Sequence, residues 1–444
     1  MASAGRARFR RVAVPFVVVL TAMAAVLPGA WAATTTTTRV SVTSGGAQAQ
    51  GDSYDPAISA SGRFVAFAST ATNLAANDLN VSSDIFVRDR REGRTRRVSV
   101  STRGAESNGD SAWPSISKTG RFVAFESGAT NLVGGDTNGV TDIFVRDRGT
   151  GVTRRVSRST SGREANGGSS FASISADGRF VAFSSEASNL VPGDDNGVRD
   201  VFVRNLETGA TRRVSVSSAG TPSNGASYST AISADGRFVA FDSAGSNLIG
   251  TDQNAYSDIF VRDRERGTTR RVSVGYDGVE GNGDSGSVSI SADGRFVAYA
   301  SDASNLVGGE DTNGFQDVFV RDRTIGITSR VSTSSAGIVQ GNAGSNAPSI
   351  SANGRFVAFA SLASSLVGGE DTNGYRDVFM RDRRTGTTVR ISMDATTTTQ
   401  GNGDSYRSAI SADGRFVAFE SSASSLVVGD TNGDLDLFLR GPLR

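Results

Sequence analysis

The stretch Gly178-Arg179-Phe180-Val181-Ala182-Phe183 recurs seven times along the 444-residue chain, in one copy with a single residue changed. Successive copies start 58 residues apart four times and 60 residues apart twice. A fixed period of this length is typical of tandem repeat architectures, in which each repeat is one supersecondary unit. The repeat therefore decides the fold. Its glycines are Gly62, Gly120, Gly178, Gly236, Gly294, Gly354 and Gly414.

Turn residues divide each repeat into four short segments with strand character. In the third repeat we predict strands over 173–176, 179–185, 200–204 and 211–216. The tight turn Asp177-Gly178 joins the first two strands, and Glu207-Thr208-Gly209 joins the last two. Four antiparallel strands repeated around an axis form the blades of a propeller, which leaves no long open edge. The sequence predicts an all-β fold, a seven-bladed β-propeller of four-stranded antiparallel blades.

Burial of both blade faces is visible in the second strand. Phe180 and Ala182 point to one face and Val181 and Phe183 to the other, so both faces are apolar. Of 24 phenylalanines, 20 occupy three repeat positions, the series of Phe64, Phe67 and Phe86. We therefore assign these aromatic side chains to the core and not to a binding surface.

The ends of the array predict how the ring closes. Its first repeat element, at 39–42, corresponds to a fourth strand, whereas its last, at 436–440, corresponds to a third strand. The seventh blade lacks its outer strand at the C-terminal end. We predict that the N-terminal strand completes that blade and removes the open edge.

Residues 1–32 have the pattern of a secretory signal peptide. Four arginines precede an apolar run over 12–27, and Ala30-Trp31-Ala32 provides a small-x-small cleavage site. We predict a signal peptide over 1–32, a threonine-rich linker over 33–38 and the propeller over 39–444. The expected product is a monomer that is secreted, extracellular or periplasmic, without stable membrane insertion after cleavage.

Composition excludes several function classes. The chain has 46 basic and 45 acidic residues, and loss of residues 1–32 leaves 42 and 45, a formal charge of −3. We therefore expect no nucleic-acid partner. The absence of both histidine and cysteine excludes Ser-His-Asp and Cys-His sites and conventional zinc sites. Carboxylate pairs remain open, and Glu106, Glu164 and Glu280 lie in loops, although their spacing selects no pair.

The repeat resembles a known family. ISADGRFVAFSS followed by DVFVRN and TRRVSV is similar to the WD-like repeat of TolB-type β-propellers, and the resemblance covers about residues 39–440. It implies the propeller fold and a role in protein interaction outside the cytoplasm. TolB itself has six blades and an additional N-terminal domain, whereas this chain repeats seven times.

A polar pattern, D-x-N-x-x-x-D, recurs between the second and third strands. Oxygen ligands at alternating positions with a further carboxylate suit Ca²⁺, so these residues form candidate calcium sites. The pattern lacks the fifth-position ligand, the sixth-position glycine and the twelfth-position glutamate of an EF-hand loop. The seven copies are Asp78, Asn80 and Asp84; Asp136, Asn138 and Asp142; Asp194, Asn196 and Asp200; Asp252, Asn254 and Asp258; Asp311, Asn313 and Asp317; Asp371, Asn373 and Asp377; and Asp430, Asn432 and Asp436.

The alternative interpretation of these loops is structural. Asparagine followed by glycine, found in five copies, forms a turn with positive φ, and each aspartate can accept hydrogen bonds from nearby backbone N–H groups. Both interpretations stay open at this point.

Topology indicates the working face. Because strands alternate in direction, the loops between second and third strands share a face with the loops between blades, and the other face carries only tight turns. Aromatic residues outside the repeat pattern lie near the interblade loops and could stack on a ligand or cover strand ends. These candidate ligand-binding residues are Tyr54, Trp113, Phe171, Tyr228 and Tyr406.

Two function classes follow from this pattern. The first is a non-enzymatic binding or interaction propeller, with calcium as a candidate stabiliser, that recognises a protein or a cell-surface glycan. The second is a carbohydrate-active enzyme of glycoside hydrolase or lyase type that uses loop carboxylates.

Overall fold

The chain forms seven four-stranded antiparallel sheets arranged in a ring. The computed structural model describes residues 1–2, 35–250, 252–308, 311–337, 339–368, 371–396 and 398–443. The predicted signal peptide falls almost entirely outside these ranges. Among the described residues, no helix has the length and apolar character needed to cross a membrane.

Each blade takes its strands in chain order from the centre outwards, except the last. Blade 1 comprises β2 (Ser53–Ile58), β3 (Phe64–Ser69), β4 (Asp84–Asp89) and β5 (Arg94–Arg97). Blade 2 comprises β6 (Ser111–Ile116), β7 (Phe122–Ser127), β8 (Asp142–Asp147) and β9 (Val152–Arg155). Blade 3 comprises β10 (Ser169–Ile174), β11 (Phe180–Ser185), β12 (Asp200–Asn205) and β13 (Thr211–Arg213).

The remaining blades repeat this layout. Blade 4 comprises β14 (Ser227–Ile232), β15 (Phe238–Ser243), β16 (Asp258–Asp263) and β17 (Thr268–Arg271). Blade 5 comprises β18 (Ser285–Ile290), β19 (Phe296–Ser301), β20 (Asp317–Asp322) and β21 (Ile327–Arg330). Blade 6 comprises β22 (Ser345–Ile350), β23 (Phe356–Ser361), β24 (Asp377–Asp382) and β25 (Thr387–Arg390). Blade 7 comprises β26 (Ser405–Ile410), β27 (Val417–Ser421), β28 (Asp436–Gly441) and β1 (Thr36–Arg39).

The N-terminal strand closes the ring, as predicted. Strand β1 pairs antiparallel with β28, with Thr36 opposite Gly441 and Arg39 opposite Phe438. The closing strand lies three residues earlier than expected. Residues 36–38, which we assigned to the linker, form most of β1, because threonine is favoured in strands and here lies against the edge of the last blade.

A second closed circle of contacts joins the blades at the face of tight turns. The residue before each turn donates its backbone N–H to the carbonyl of its counterpart in the next blade, at 2.9 to 3.1 Å, and Ala412 of blade 7 donates to Ala60 of blade 1. Ring closure therefore satisfies backbone groups that an open array would expose at both ends.

Strand boundaries differ most from the sequence prediction in the first and last strands of blade 3. Strand β10 begins at Ser169 and not at residue 173, because its serine-rich start lacks the apolar alternation that marks a strand. Strand β13 ends at Arg213, after which Val214 donates to Val201 and the chain turns towards the next blade.

The core lies between adjacent blades. Val181 and Phe183 pack against blade 2 side chains such as Ile143, whereas Ala182 packs with Val239 of blade 4. The prediction of two apolar faces is confirmed. In every blade an aromatic side chain of the second strand lies 5.9 to 6.0 Å from a phenylalanine of the third. Such pairs add about 0.5 to 1.5 kcal/mol each to area burial.

The Phe64 series differs from the other two because it is only half-buried. Phe64 lies between the guanidinium groups of Arg63 and Arg148, each 4.7 Å from its ring centroid. Its ring also packs on Gly120 of the next blade, where an added Cβ would stand 2.2 Å from a ring carbon. This series joins neighbouring blades at the face of tight turns.

Candidate functional site

The first strands β2, β6, β10, β14, β18, β22 and β26 line the centre of the ring, each in contact with the next. All seven carry a β-bulge in their pairing with the second strand. Bulges redirect side chains and are frequent next to functional sites. In five of these strands the third residue has a positive φ, near 50°, which is rare outside glycine. These residues are Asp55, Trp113, Phe171, Ser287 and Ala347.

The bulges surround a central cavity of about 390 Å³ on the channel axis. Every blade contributes the third and fourth residues of its first strand to the lining. The third residues are of six different types in the seven blades, although the strands that hold them repeat closely. Going round the ring they are Asp55, Trp113, Phe171, Ser229, Ser287, Ala347 and Arg407.

Four of these side chains form a connected group on one side of the cavity. Arg407 donates to Asp55 at 2.5 Å, and its guanidinium lies 3.8 Å from the centroid of the Trp113 ring. Trp113 meets Phe171 edge to face, with ring centroids 5.2 Å apart. The group combines charge, a cation–π contact and aromatic surface, which are features of a ligand site.

Three further carboxyl groups stand behind this lining, on the second strands. Glu420 accepts the backbone N–H of Asp55 at 2.9 Å, and Glu126 accepts that of Phe171 at 3.1 Å. These acids therefore hold two of the left-handed residues in place. Asp242 occupies the same position in blade 4, one methylene shorter, and its Oδ1 atom is buried without a hydrogen-bond partner in the described structure.

Burial shifts the pKa values of these acids upwards. Desolvation raises the pKa of Glu126 to about 7, with a small further contribution from Asp55, and that of Asp242 to about 6. Burial also raises the pKa of Asp55 and Glu420, although Arg407 opposes this shift at Asp55. A cluster of raised carboxyl pKa values beside a cavity is a recognised mark of functional sites.

The sequence-predicted aromatic residues separate into two groups. Trp113 and Phe171 line the cavity and contact each other. Tyr54 packs against the core between blades 1 and 2, while Tyr228 and Tyr406 lie beneath Arg199 and Arg376, at 5.7 and 5.6 Å from the ring centroids. The structure thus brings two of the five into the cavity.

The D-x-N loops build an ion-pair cluster in every blade. In blade 2, Arg155 contacts Asp136 at 3.0 Å, Asp142 at 2.9 Å and Glu164 at 2.9 Å. Asn138 donates its amide N–H to Asp142 at 2.9 Å and to the carbonyl of Ala165 in the interblade loop. The equivalent arginines are Arg39, Arg97, Arg213, Arg271, Arg330 and Arg390.

The other six copies of the pattern share both features. Their arginines contact both aspartates of the copy, at 2.8 to 3.4 Å. Their asparagines donate an amide N–H to the second aspartate, at 2.8 to 3.5 Å. Each also donates to a carbonyl of the interblade loop, at 2.7 to 3.0 Å. These asparagines are Asn80, Asn196, Asn254, Asn313, Asn373 and Asn432.

In this arrangement an arginine side chain pairs with the aspartates that the calcium interpretation would use as ligands. The two aspartates of each copy face a buried guanidinium, which already occupies the position of a balancing cation. The asparagine presents N–H to the second aspartate, whereas Ca²⁺ requires its oxygen. Within the described part of the chain, no group of three or more acidic side chains is arranged to hold a metal.

The candidate calcium ligands thus lie in ion-pair clusters, in which asparagine and arginine tie the loop to the start of the third strand. These residues are Asp136, Asn138 and Asp142; Asp194, Asn196 and Asp200; Asp311, Asn313 and Asp317; Asp371, Asn373 and Asp377; and Asp430, Asn432 and Asp436.

The loop glutamates belong to the same clusters. The ion pairs are Glu106 with Arg97, Glu164 with Arg155 and Glu280 with Arg271. Hydrogen bonds from Thr137 are the main cause that lowers the pKa of Glu164. A general acid needs the opposite shift, so Glu164 is a poor candidate for glycoside chemistry.

Sequence reasoning missed the channel acids and Arg407. Alignment of the seven repeats position by position provides the signal that could have found them. The residue after the second-strand aromatic is Ala, Glu, Ser, Asp, Ala, Ala and Glu in turn, within an otherwise constant strand. A position at which one copy departs from the repeat is a candidate for a role that only that blade has.

Comparison with known proteins supports the fold. No protein-family model and no curated protein matches the chain. The β-propeller domain of the trilobed protease from Pyrococcus furiosus is 15% identical with a TM-score of 0.52, covering 88% of this chain and 94% of that one. Oligogalacturonate lyase in complex with manganese is 13% identical with a TM-score of 0.52, covering 93% and 96%.

The chain is also similar to TolB from Acinetobacter baumannii, the family that its repeat resembles. That match has 17% identity and a TM-score of 0.41 over 69% of this chain. The chain spans 59% of the length of that structure. These likenesses concern the propeller fold.

Proposed function

We propose that this chain is a secreted, non-enzymatic binding propeller that takes part of a protein or cell-surface glycan into its central cavity. One observation carries the proposal: the channel lining departs from the sevenfold repeat and gathers Asp55, Arg407, Trp113 and Phe171 on one side. A structural scaffold would need only the repeated residues. The cavity volume lies in the range of ligand pockets.

Binding without catalysis fits the accessibility of the charged groups. The acidic residue in the described lining of the central cavity is Asp55, and it forms an ion pair with Arg407. Glu126 and Glu420 instead use their carboxylates to accept backbone N–H groups. The long loops between strands and between blades provide a second, wider surface for a partner.

Tryptophan fluorescence tests the proposal directly. Trp31 and Trp113 are the two tryptophans of the chain, so residues 33–444 contain one reporter, which lies in the cavity. Glycan and peptide arrays would supply ligands, and titration of each with fluorescence detection should change Trp113 emission saturably. The Phe171→Ala variant should weaken binding, whereas Tyr256→Ala, exposed outside the cavity, should not.

A ligand that binds with unchanged Trp113 emission and equal affinity for Phe171→Ala would contradict the cavity as the site. Melting curves of both variants would serve as the control that distinguishes loss of binding from loss of structure.

The second function class keeps one supporting observation, the pKa of about 7 at Glu126, which suits a general acid. Such an enzyme would use channel carboxyls and not the loop glutamates. Release of reducing sugar from a bound glycan, abolished in Glu126→Gln, would favour this class over binding alone.

A further inference from the structure

A groove between blades 2 and 3 collects arginines that the repeat does not supply. A cavity of about 700 Å³ lies along the outer strand β9 and the loop that follows it. Arg158 stands where the other blades have Val, Thr or Met, and Arg163 stands where they have Ala, Thr or Val. Arg154 and Arg204 occupy ordinary repeat positions beside them.

These four guanidinium groups lack acidic partners. Among the described residues, none of the four forms an ion pair, and the single lining acid, Glu164, is paired with Arg155. Arg158 donates to the carbonyl of Gly162 at 2.9 and 2.5 Å, which fixes its head group. Burial lowers the pKa of Arg204, and the charge of Arg158 lowers it further, so like charges are held close together.

The groove continues towards the face of tight turns. In five blades an arginine at the position of Leu206 covers a phenylalanine of the preceding blade, as Arg148 covers Phe64. In blade 3 this arginine is replaced by Leu206, so in the described structure the Phe122 ring has the guanidinium of Arg121 on one side only. A further cavity of about 280 Å³ opens there and shares Arg154 and Leu206 with the first. The smaller cavity is also lined by the acidic residues Asp147, Asp177 and Glu207, so the larger cavity is the candidate anion site.

We propose that this groove binds an anionic polysaccharide through Arg154, Arg158, Arg163 and Arg204, at a site separate from the central cavity. Guanidinium groups match the carboxylate of a uronate or the sulfate of a sulfated sugar in bidentate geometry. Polar contacts beside these arginines come from Asn189 and Thr153, and an apolar contact comes from the Leu206 side chain.

Other polyanions fit the groove less well. The outer edge of β9 is already covered, because Thr102 accepts the backbone N–H of Thr153 and donates to its carbonyl. A peptide therefore cannot add as a strand at that point. The described lining of the larger cavity contains no aromatic side chain, which single-stranded nucleic acid needs for base stacking.

The experiment uses calorimetric titration of the full chain with polygalacturonate, dextran sulfate and neutral dextran. We expect binding to one or both acidic glycans and none to neutral dextran, with affinity falling as salt increases. Polygalacturonate and dextran sulfate distinguish carboxylate from sulfate as the recognised group. No binding to either acidic glycan would overturn the proposal.

Replacing groove residues by their equivalents in other repeats provides matched variants. R158V/R163A installs the residues of the preceding blade, Val100 and Ala105, and should weaken binding roughly tenfold or more. R91A/R94A removes two exposed arginines elsewhere and should change affinity less than twofold. V100R/A105R/R148L builds the groove between blades 1 and 2 and should raise the number of binding sites.

Equal affinity of wild type and R158V/R163A would overturn the site, and equal affinity for polyglutamate or single-stranded DNA would overturn the choice of glycan. The Trp113→Ala variant should bind acidic glycan normally. A loss in that variant would place binding in the central cavity and contradict a separate site.

Discussion

The Arg407 guanidinium lies over the Trp113 ring, 3.8 Å from its centroid, and so joins blade 7 to blade 2 across the first strand of blade 1. Between them Asp55 of blade 1 accepts a hydrogen bond from the same guanidinium. Three blades with the same strand layout thus hold three different side chains at one position, and the contact between them exists only because the ring is closed.

Removal of Arg407 tests that contact. In Arg407→Ala the Trp113 face loses its cation and becomes open to water, so emission of residues 33–444 should move to longer wavelength. Asp55 would also keep a buried carboxylate without its partner. Because the Arg407 side chain is 44% exposed, the expected loss of stability is modest, about 1 kcal/mol. Unchanged emission would contradict the stacking geometry.

Ring closure by β1 predicts a thermal effect. A chain that begins at residue 44 loses β1 and Arg39, and it leaves Asp430 and Asp436 without their buried cation. The melting temperature should fall by at least about 6 °C relative to a chain that begins at residue 33. Differential scanning calorimetry measures the shift, and superimposable transitions would contradict closure by this strand.

The ion-pair clusters predict a contrast between two aspartates of β8. Asp142→Asn leaves Arg155 buried at 5% exposure with a weakened set of partners, and should cost about 3 to 5 kcal/mol. Asp147→Asn breaks a pair with the 51% exposed Arg121, and should cost less than about 1 kcal/mol. Denaturant unfolding gives both values.

The Asp142→Asn variant also tests the calcium interpretation. Ligand binding to the native state alone would raise the melting temperature, so added Ca²⁺ should leave wild type and Asp142→Asn equally unaffected. A calcium-dependent stabilisation of wild type that disappears in Asp142→Asn would restore the calcium interpretation of the D-x-N loops.

Two glycines of blade 3 separate backbone strain from contact between blades. Gly178 and Gly197 have φ values of +78° and +68°, so alanine is strained at both, by about 1 to 2 kcal/mol. A Cβ on Gly178 would stand 2.1 Å from the Phe122 ring, whereas one on Gly197 meets nothing within 4 Å. Gly178→Ala should therefore cost about 1 to 3 kcal/mol more than Gly197→Ala in denaturant unfolding. Equal costs would show that Phe122 moves freely.

The pH dependence of stability should reveal the titration of the buried acid Asp242. Its folded-state pKa of about 6 lies above the ordinary 3.8, so the folded state binds the proton more tightly than the unfolded state. Asp242 therefore stabilises the fold below about pH 4, and this contribution is lost as pH rises through 6, by at most about 3 kcal/mol. Asp242→Asn should remove that part of the slope. Parallel curves for wild type and variant between pH 4 and pH 7 would contradict the shift.

The fold followed from the sequence because its repeat is local. Each copy of the Gly178-to-Phe183 stretch carries its own turn and two apolar faces, so period, strand order and blade count were predictable. The ends of the strands were less predictable. Thr36 to Thr38 form a strand only because β28 provides an edge, and the start of β10 is serine-rich and pairs through a bulge.

The candidate site was predictable only in part. Trp113 and Phe171 departed visibly from the repeat, and both line the cavity. Their partners Asp55 and Arg407 are 352 residues apart in sequence, and Glu420 and Asp55 are 365 apart. The arginines that pair with the D-x-N aspartates were also not predictable from the pattern, because each belongs to a different strand.

The sequence by itself determined the repeated unit: four strands, a buried aromatic pair and an aspartate at the start of each third strand. These depend on contacts within one blade or with the next, which every copy encodes in the same way. Closure of the ring decided the rest. It brought the first strands of all seven blades around one cavity and side chains of blades 1, 2, 3 and 7 into contact, because side chains distant along the chain become neighbours only when the last blade meets the first.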